Sequence, residues 1–237
     1  GGGFMKAVIE VKGLKKTFTL HTQNGTKIPV FAGLELKVFP GECLALVGES
    51  GSGKSTLMRA LYANYKPQAG SIRVRHGEGW VDMVSAPPNQ ILRVRRRTMG
   101  YVSQFLRVIP RVPAAEVVAE PLKAWGVEDK AAEDAARAIL DRVRIPQNLW
   151  SLAPSTFSGG EQQRVNLARG FIAGYPIMLL DEPTASLDAS NRAVVLELIQ
   201  EAKERGAALV GIFHDEKFRS QAADRVFPMP AGGKGSP

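Results

Sequence analysis

The chain has 237 residues, 44% of them hydrophobic and 23% charged, which excludes a disordered protein and is enough for one large α/β domain with a sizeable core. No apolar run approaches the roughly 18 residues of a membrane-spanning helix, no cleavable leader precedes the first strand-like segment, and the single cysteine, Cys43, excludes an internal disulfide. These features together point to a cytoplasmic protein without membrane insertion. The formal charge of +8 is locally dense at Arg93, Arg95, Arg96 and Arg97. Since no nucleic-acid module accompanies the cluster, it reads as a solvated face or as a docking surface for an acidic protein, and nucleic acid is not an expected partner.

In chain order, Gly1-Gly2-Gly3 reads as a cloning remnant, with the first four residues outside the domain. Strands are expected over 8–11 and 34–38, with a turn at Asn24-Gly25 between them. The apolar run Cys43-Leu44-Ala45-Leu46-Val47 predicts a strand buried on both faces of a parallel sheet, with Cys43 a buried strand residue. A helix is expected over 55–62, and strands over 71–74 and 99–102. The stretch 76–90 carries Gly77, Gly79, Pro87 and Pro88 and reads as an insertion or long hairpin.

From 114 to 143 the texture becomes helical, with Ala131, Ala132, Ala135, Ala136, Ile139, Leu140 and Val143 at helical spacing. Pro110, Pro113 and Pro121 punctuate its start, so a helical subdomain over about 105–170 is inserted into the sheet domain. Helices over 161–169 and 191–203, the latter capped by Ser190, alternate with strands over 177–180 and 208–213. The last residues, 230–237, read as a flexible tail. Strands alternating with helices predict an α/β fold with a doubly wound parallel sheet.

Chemistry concentrates in three motifs and three single residues. Gly48-Glu49-Ser50-Gly51-Ser52-Gly53-Lys54-Ser55-Thr56 satisfies the P-loop pattern between a strand and a helix. Its glycines let backbone N–H groups curl around phosphate oxygens, with the positive end of the helix behind them. Lys54 would reach the β and γ phosphates, and the Ser55 hydroxyl would go to Mg²⁺. After the apolar run Ile177-Met178-Leu179-Leu180, Asp181 emerges to hold Mg²⁺ through water, and Glu182 is the candidate general base for the attacking water. Alternatively both carboxylates merely cap loop N–H groups.

Ser158-Gly159-Gly160-Glu161 opens a helix and forms a second anion site. The remaining candidates are single residues. Gln104 follows a strand and would touch Mg²⁺ or orient water; His214 ends a strand and would contact the γ-phosphate, or pair with Asp215; Phe18 is a platform for adenine or a core residue.

The ordered set Phe18, Gly48–Thr56 loop, Gln104, Phe157-Ser158-Gly159-Gly160-Glu161, Leu180-Asp181-Glu182-Pro183, Ser186-Leu187-Asp188 and His214 resembles the ATP-binding cassette (ABC) ATPases over residues 5–229. The resemblance implies a P-loop nucleotide-binding domain with a RecA-like parallel core, an antiparallel β subdomain and an inserted helical subdomain. It also implies ATP and Mg²⁺ as cofactors and a head-to-tail dimer. In that dimer Ser158, Gly159, Gly160 and Glu161 of one subunit face the γ-phosphate held by Lys54 of the other, and Asp188 lies at the seam. Phe157 and Glu161 stand where leucine and glutamine are common, outside the Ser-Gly-Gly core.

A narrower resemblance rests on Leu61-Tyr62-Ala63-Asn64-Tyr65, His76-Gly77-Glu78-Gly79-Trp80-Val81-Asp82, Gln104-Phe105-Leu106-Arg107-Val108-Ile109-Pro110-Arg111, Leu152-Ala153-Pro154-Ser155-Thr156-Phe157 and Gly211-Ile212-Phe213-His214-Asp215-Glu216. These segments are similar to the L-subunit family of the bacterial carbon–phosphorus lyase system. That implies an ATPase supporting phosphonate breakdown. Its partners would be a second cassette subunit (itself or the K component) and the lyase core, docked near Phe105, Leu106, Arg107 and Arg111. Nothing in the chain reads as a nucleosidase site. The same cassette motifs equally serve the ATPase subunit of a membrane transporter, or a nucleotide-binding module without turnover.

Overall fold

Backbone polar groups in a strand buried on both faces are satisfied only by neighbouring strands, so consecutive apolar runs of four or five residues collect into one central sheet. The computed structural model describes residues 6–20, 25–103 and 111–230. In chain order the elements are β1 (Ile9–Leu20), β2 (Thr26–Val38), β3 (Cys43–Val47), α1 (Lys54–Leu61), β4 (Ala69–His76), β5 (Gly79–Asp82), α2 (Pro88–Arg97) and β6 (Met99–Val102). They continue as α3 (Ala114–Ala124), α4 (Asp129–Arg142), α5 (Gly159–Ile172), β7 (Ile177–Asp181), α6 (Ala189–Glu204), β8 (Ala208–Ile212), α7 (Glu216–Ala222) and β9 (Arg225–Pro228).

The expected fold class is the one observed. Five strands pair in parallel in the order β6-β7-β8-β3-β9, and four pair antiparallel in the order β2-β1-β4-β5. Because successive strand side chains point to opposite faces, each central strand feeds two cores. Ile177 and Leu179 join Leu44, Leu46 and Val210 under α1 and the antiparallel sheet. Met178 and Leu180 join Cys43, Ala45 and Leu209 against the helices of the 114–172 segment and α6. Cys43 is fully buried, and burial pushes its thiol up to about 12, so it stays a neutral packing group.

Several local expectations are corrected. The hairpin expected in the 76–90 stretch is there, as β4–β5, but the stretch ends in the start of α2, where Pro88 occupies the first turn and a missing N–H costs nothing. Pro121 does not punctuate the start of the helical segment but lies buried inside α3. The N-cap of α6 is Asp188 rather than Ser190: its carboxylate accepts from the Asn191 N–H at 2.9 Å, and the Ser190 hydroxyl donates to it at 3.1 Å. Asn24, the 1–4 remnant and the tail from 231 lie outside the described residues.

Within the antiparallel sheet, β1 and β4 approach closely at one point. At Gly70, with φ +98°, an added Cβ would sit 2.5 Å from the Gly13 carbonyl oxygen, where the β1–β4 register shifts. Gly70→Ala is expected to lower the unfolding free energy by about 3 kcal/mol, combining overpacking of about 1–3 with a left-handed penalty of about 1–2. Gly77→Ala, with φ +60° and open space around it, should show the backbone penalty alone. Urea denaturation of the two variants separates these costs.

Candidate active site

In an open parallel sheet, ligands gather beyond the carboxyl ends of the strands, where the loops diverge. Here the Gly48–Thr56 loop follows β3, Asp181 ends β7 with Glu182 next after it, and His214 follows β8. Since β3 and β7 both pair with β8, the three segments emerge side by side.

The P-loop is closely wrapped. A Cβ on Gly48 would meet Ser52 Oγ at 2.7 Å. Gly53, the N-cap of α1 with φ +97°, would press a Cβ to 3.0 Å from Val30 and 3.3 Å from Phe31. The Ser52 N–H donates to the Glu49 carbonyl at 3.0 Å, the Lys54 ammonium donates to the Gly48 carbonyl at 2.7 Å, and Ser52 Oγ is buried without a partner. A cradle that only glycine fits, an unpaired buried hydroxyl, a lysine and a helix N-terminus together suit a polyphosphate. Ser55 and Asp181 supply hard oxygen donors, the donor set that Mg²⁺ takes.

Glu182 sits in the left-handed region at φ 51°, held there by its N–H donating to the Ile212 carbonyl at 2.9 Å. This turn brings its carboxylate against His214 Nε2; the Glu182 side chain is 16% exposed and the His214 ring 73%. Asp215 is not a simple loop partner of His214: it caps α7, accepting from the Phe218 N–H at 2.9 Å, and that bond holds its carboxyl below the usual range. Asp181 accepts a hydrogen bond from the Tyr101 hydroxyl at 3.3 Å. Burial raises the Asp181 carboxyl, and the Tyr101 bond and the Arg59 charge pull it back. Burial, then the Asp181 charge, push the Tyr101 hydroxyl up, so it remains a donor.

Ser158 is the N-cap of α5 in a reciprocal capping box. Its hydroxyl accepts from the Glu161 N–H at 3.2 Å, and Glu161 Oε1 accepts from the Ser158 N–H at 2.9 Å. Gly159 faces open space, and Gly160 lies beside the Ser186 carbonyl. Asp188, at the start of α6, is exposed, and its hydrogen bonds from Asn191 and Ser190 lower its carboxyl.

Two residues of α5 escape sequence reading. Gln163, 2% exposed, donates to the Glu182 carbonyl at 3.1 Å and accepts from the Ser186 N–H at 2.8 Å, fastening α5 to the loop that carries Glu182. One turn on, Asn166 donates to the Ser103 carbonyl at 2.7 Å and fastens the same helix to the end of β6. Their only sequence signal is two amides among the apolar Val165, Leu167 and Ala168. Gln163→Leu would remove both of these hydrogen bonds from a buried side-chain position and is expected to cost about 1–3 kcal/mol, read as a lower midpoint in thermal unfolding.

Gln104, Phe105, Leu106 and Arg107 and the side chain of Phe18 lie outside the described residues. The arginine cluster divides in two. Arg95 donates to the Tyr62 carbonyl and Asn64, and Arg97 to the Trp125 carbonyl, whereas Arg93 and Arg96 present exposed side chains beside exposed Leu92.

Comparison with known proteins places these features in a family. A family model described as ABC transporter matches residues 31–185. The macrolide export ATP-binding/permease protein MacB of Syntrophobacter fumaroxidans is 36% identical over 228 residues, covering 95% of this chain and 31% of its own. The lipoprotein-releasing system ATP-binding protein LolD of Shewanella sp. strain MR-4 is 37% identical over 226 residues, covering 95% of this chain and 94% of its own. Among solved structures, the dimeric bacterial ABC transporter cassette MJ0796 is similar with a TM-score of 0.84 at 26% identity, covering 94% of this chain and 95% of that one. The same cassette in a post-hydrolysis state bound to ADP and Pi gives 0.83 at 25% identity. The chain spans about a third of the export protein it matches. These relatives are transporter ATPases, so the narrower likeness to a carbon–phosphorus lyase subunit draws no support from them.

Proposed function

Because the chain belongs to the ABC transporter ATP-binding family, whose members bind and hydrolyse ATP, we propose that it is the ATPase subunit of a membrane transporter and works by closing a head-to-tail dimer on two ATP molecules. The observation that carries this reading is the convergence of the Gly48–Thr56 loop, Asp181 and the Glu182–His214 pair at one edge of the sheet. The loop N–H groups and Lys54 bind the triphosphate; Phe18 packs on adenine. Ser158, Gly159, Gly160 and Glu161 of the facing protomer cover the γ-phosphate, with Asp188 of each chain at the seam.

Glu182 takes a proton from the attacking water, and His214 holds the γ-phosphate while resting against Glu182. Ser55, Asp181 and Gln104 are the residues that would hold Mg²⁺, which when bound supplies charge neutralisation for the phosphates. The transport reading takes its partner from the relatives: one is an ATP-binding/permease protein for macrolide export, the other the ATP-binding protein of a lipoprotein-releasing system.

A second reading has its own observation. Two of the segments that resemble the lyase L subunit carry contacts of their own: Tyr62 and Asn64 are tied to Arg95, and Trp80 lies under Arg73 and Arg75. In that reading the same ATPase serves a phosphonate-degrading complex, beside a second cassette subunit and the lyase core. Affinity capture from detergent-solubilised cells, with and without a non-hydrolysable ATP analogue, separates the two. A co-purifying permease supports transport. A soluble phosphonate-degrading assembly without a permease overturns it in favour of the second reading.

A further inference from the structure

The Asp181 carboxylate is not held by its strand alone. Tyr101, on β6, pairs with Leu179 in parallel register, and its hydroxyl donates across to Asp181 Oδ2 at 3.3 Å. Among the described residues this is the one hydrogen bond that the Asp181 carboxylate accepts. The Tyr101 ring stacks on Tyr62, with centroids 5.0 Å apart and planes 24° from parallel. Arg95 of α2 lies over the Tyr62 ring at 4.5 Å and donates to the Tyr62 carbonyl at 3.0 and 2.8 Å and to Asn64 Oδ1 at 2.8 Å. Arg95, Tyr62, Tyr101 and Asp181 thus form a continuous column from the basic helix to the end of β7.

A carboxylate has two oxygens and a freely turning terminal torsion. A donor fixed on one oxygen selects an orientation and leaves the other oxygen for the ion's water shell. The ring stack keeps that donor from swinging away, because the Tyr62 backbone is itself pinned by a bidentate guanidinium.

We propose that Tyr101 is a positioning residue for ATP hydrolysis: it orients Asp181 toward the magnesium ion, with the Arg95–Tyr62 stack as its support. This rests on the reading of Asp181 as a metal ligand. The same column explains why Arg95 is half-buried and committed while Arg93 and Arg96 of the same helix are exposed.

The test uses the full chain carrying Glu182→Gln, so that ATP persists, and titrates Mn²⁺ in the presence of ATP with free Mn²⁺ read by electron paramagnetic resonance. Tyr101→Phe, which keeps the ring and removes the donor, is expected to raise the apparent Mn²⁺ Kd about tenfold, the lower end of the range for losing an outer-shell partner. ATP binding in EDTA should stay within about twofold of the parent, because the hydroxyl acts through the ion. Tyr62→Leu keeps the donor and removes its support, so it should weaken Mn²⁺ in the same direction by less.

Unchanged Mn²⁺ affinity in Tyr101→Phe while Asp181→Asn weakens it would overturn the positioning role alone. An Asp181→Asn chain that binds Mn²⁺ like the parent would overturn the ligand reading beneath it. An equal loss of metal-free ATP binding in Tyr101→Phe would overturn the proposal in favour of a general packing role.

Discussion

Glu182→Gln is expected to lower steady-state ATP hydrolysis by about 10²–10⁴-fold, the usual contribution of a positioned general base, while leaving ATP binding intact. The structure gives the reason for expecting a chemical rather than a folding defect. The Glu182 backbone is fixed by its N–H bond to the Ile212 carbonyl, and its carbonyl by Gln163. Neither contact involves the side chain. Glutamine has the same shape and still offers an oxygen to His214, but it has no basic oxygen to take the proton of water. Phosphate release measured alongside binding of a fluorescent ATP analogue distinguishes the two quantities. Equal turnover by parent and variant would remove Glu182 from the role of base.

Ser158→Arg should abolish ATP-induced dimerisation while Lys54-dependent nucleotide binding by the single chain persists. Ser158 caps α5 and is followed by Gly159, which faces open space, so the helix start is a clear surface with its positive end outward. An arginine there removes the cap, at a cost of about 1 kcal/mol, and places a long cation where a second protomer has to approach. Ser158→Ala separates these effects: it loses the cap and the hydroxyl without adding a bulky cation, so its dimer should be weakened but still form. Size-exclusion chromatography of both variants with ATP is the readout. A normal dimer from Ser158→Arg would show that this helix start lies away from the protomer contact.

The parts of the fold that the sequence disclosed are those whose signal is local. Cys43–Val47 and Ile177–Leu180 read as buried strands because burial on both faces demands unbroken apolar runs, and the observed strands agree almost to the residue; the strand expected over 99–102 is β6. The P-loop, Asp181, Glu182 and His214 were legible because their spacing follows a strand-then-loop pattern.

What stayed hidden depends on distant partners. Tyr101 reaches Asp181 across 80 residues, and Gln163 reaches Ser186 across 23. Neither pairing leaves a trace in its own neighbourhood. Gly77, Gly79, Pro87 and Pro88 concealed α2 because proline reads as a breaker, although at the first turn it is a starter. Ser190 was the nearer candidate for a cap, but Asp188 carries the stronger acceptor two residues earlier. The arginine cluster looked uniform in sequence, and only the fold divides it: Arg95 is half-buried and hydrogen-bonded, Arg97 is exposed but bonded to the Trp125 carbonyl, and Arg93 and Arg96 are exposed. The partner is a further step removed: of the surface to which a partner was assigned, Phe105, Leu106 and Arg107 lie outside the described residues.

The central claim is that one chain grips a triphosphate and a second chain seals it. Light scattering on the Glu182→Gln chain with ATP and magnesium measures this directly. The account predicts a particle of twice the 25.6 kDa chain mass that reverts to single chains when ATP is withdrawn or when Ser158→Arg is added. A saturated, nucleotide-bound chain that stays at its single mass at every protein concentration would contradict it.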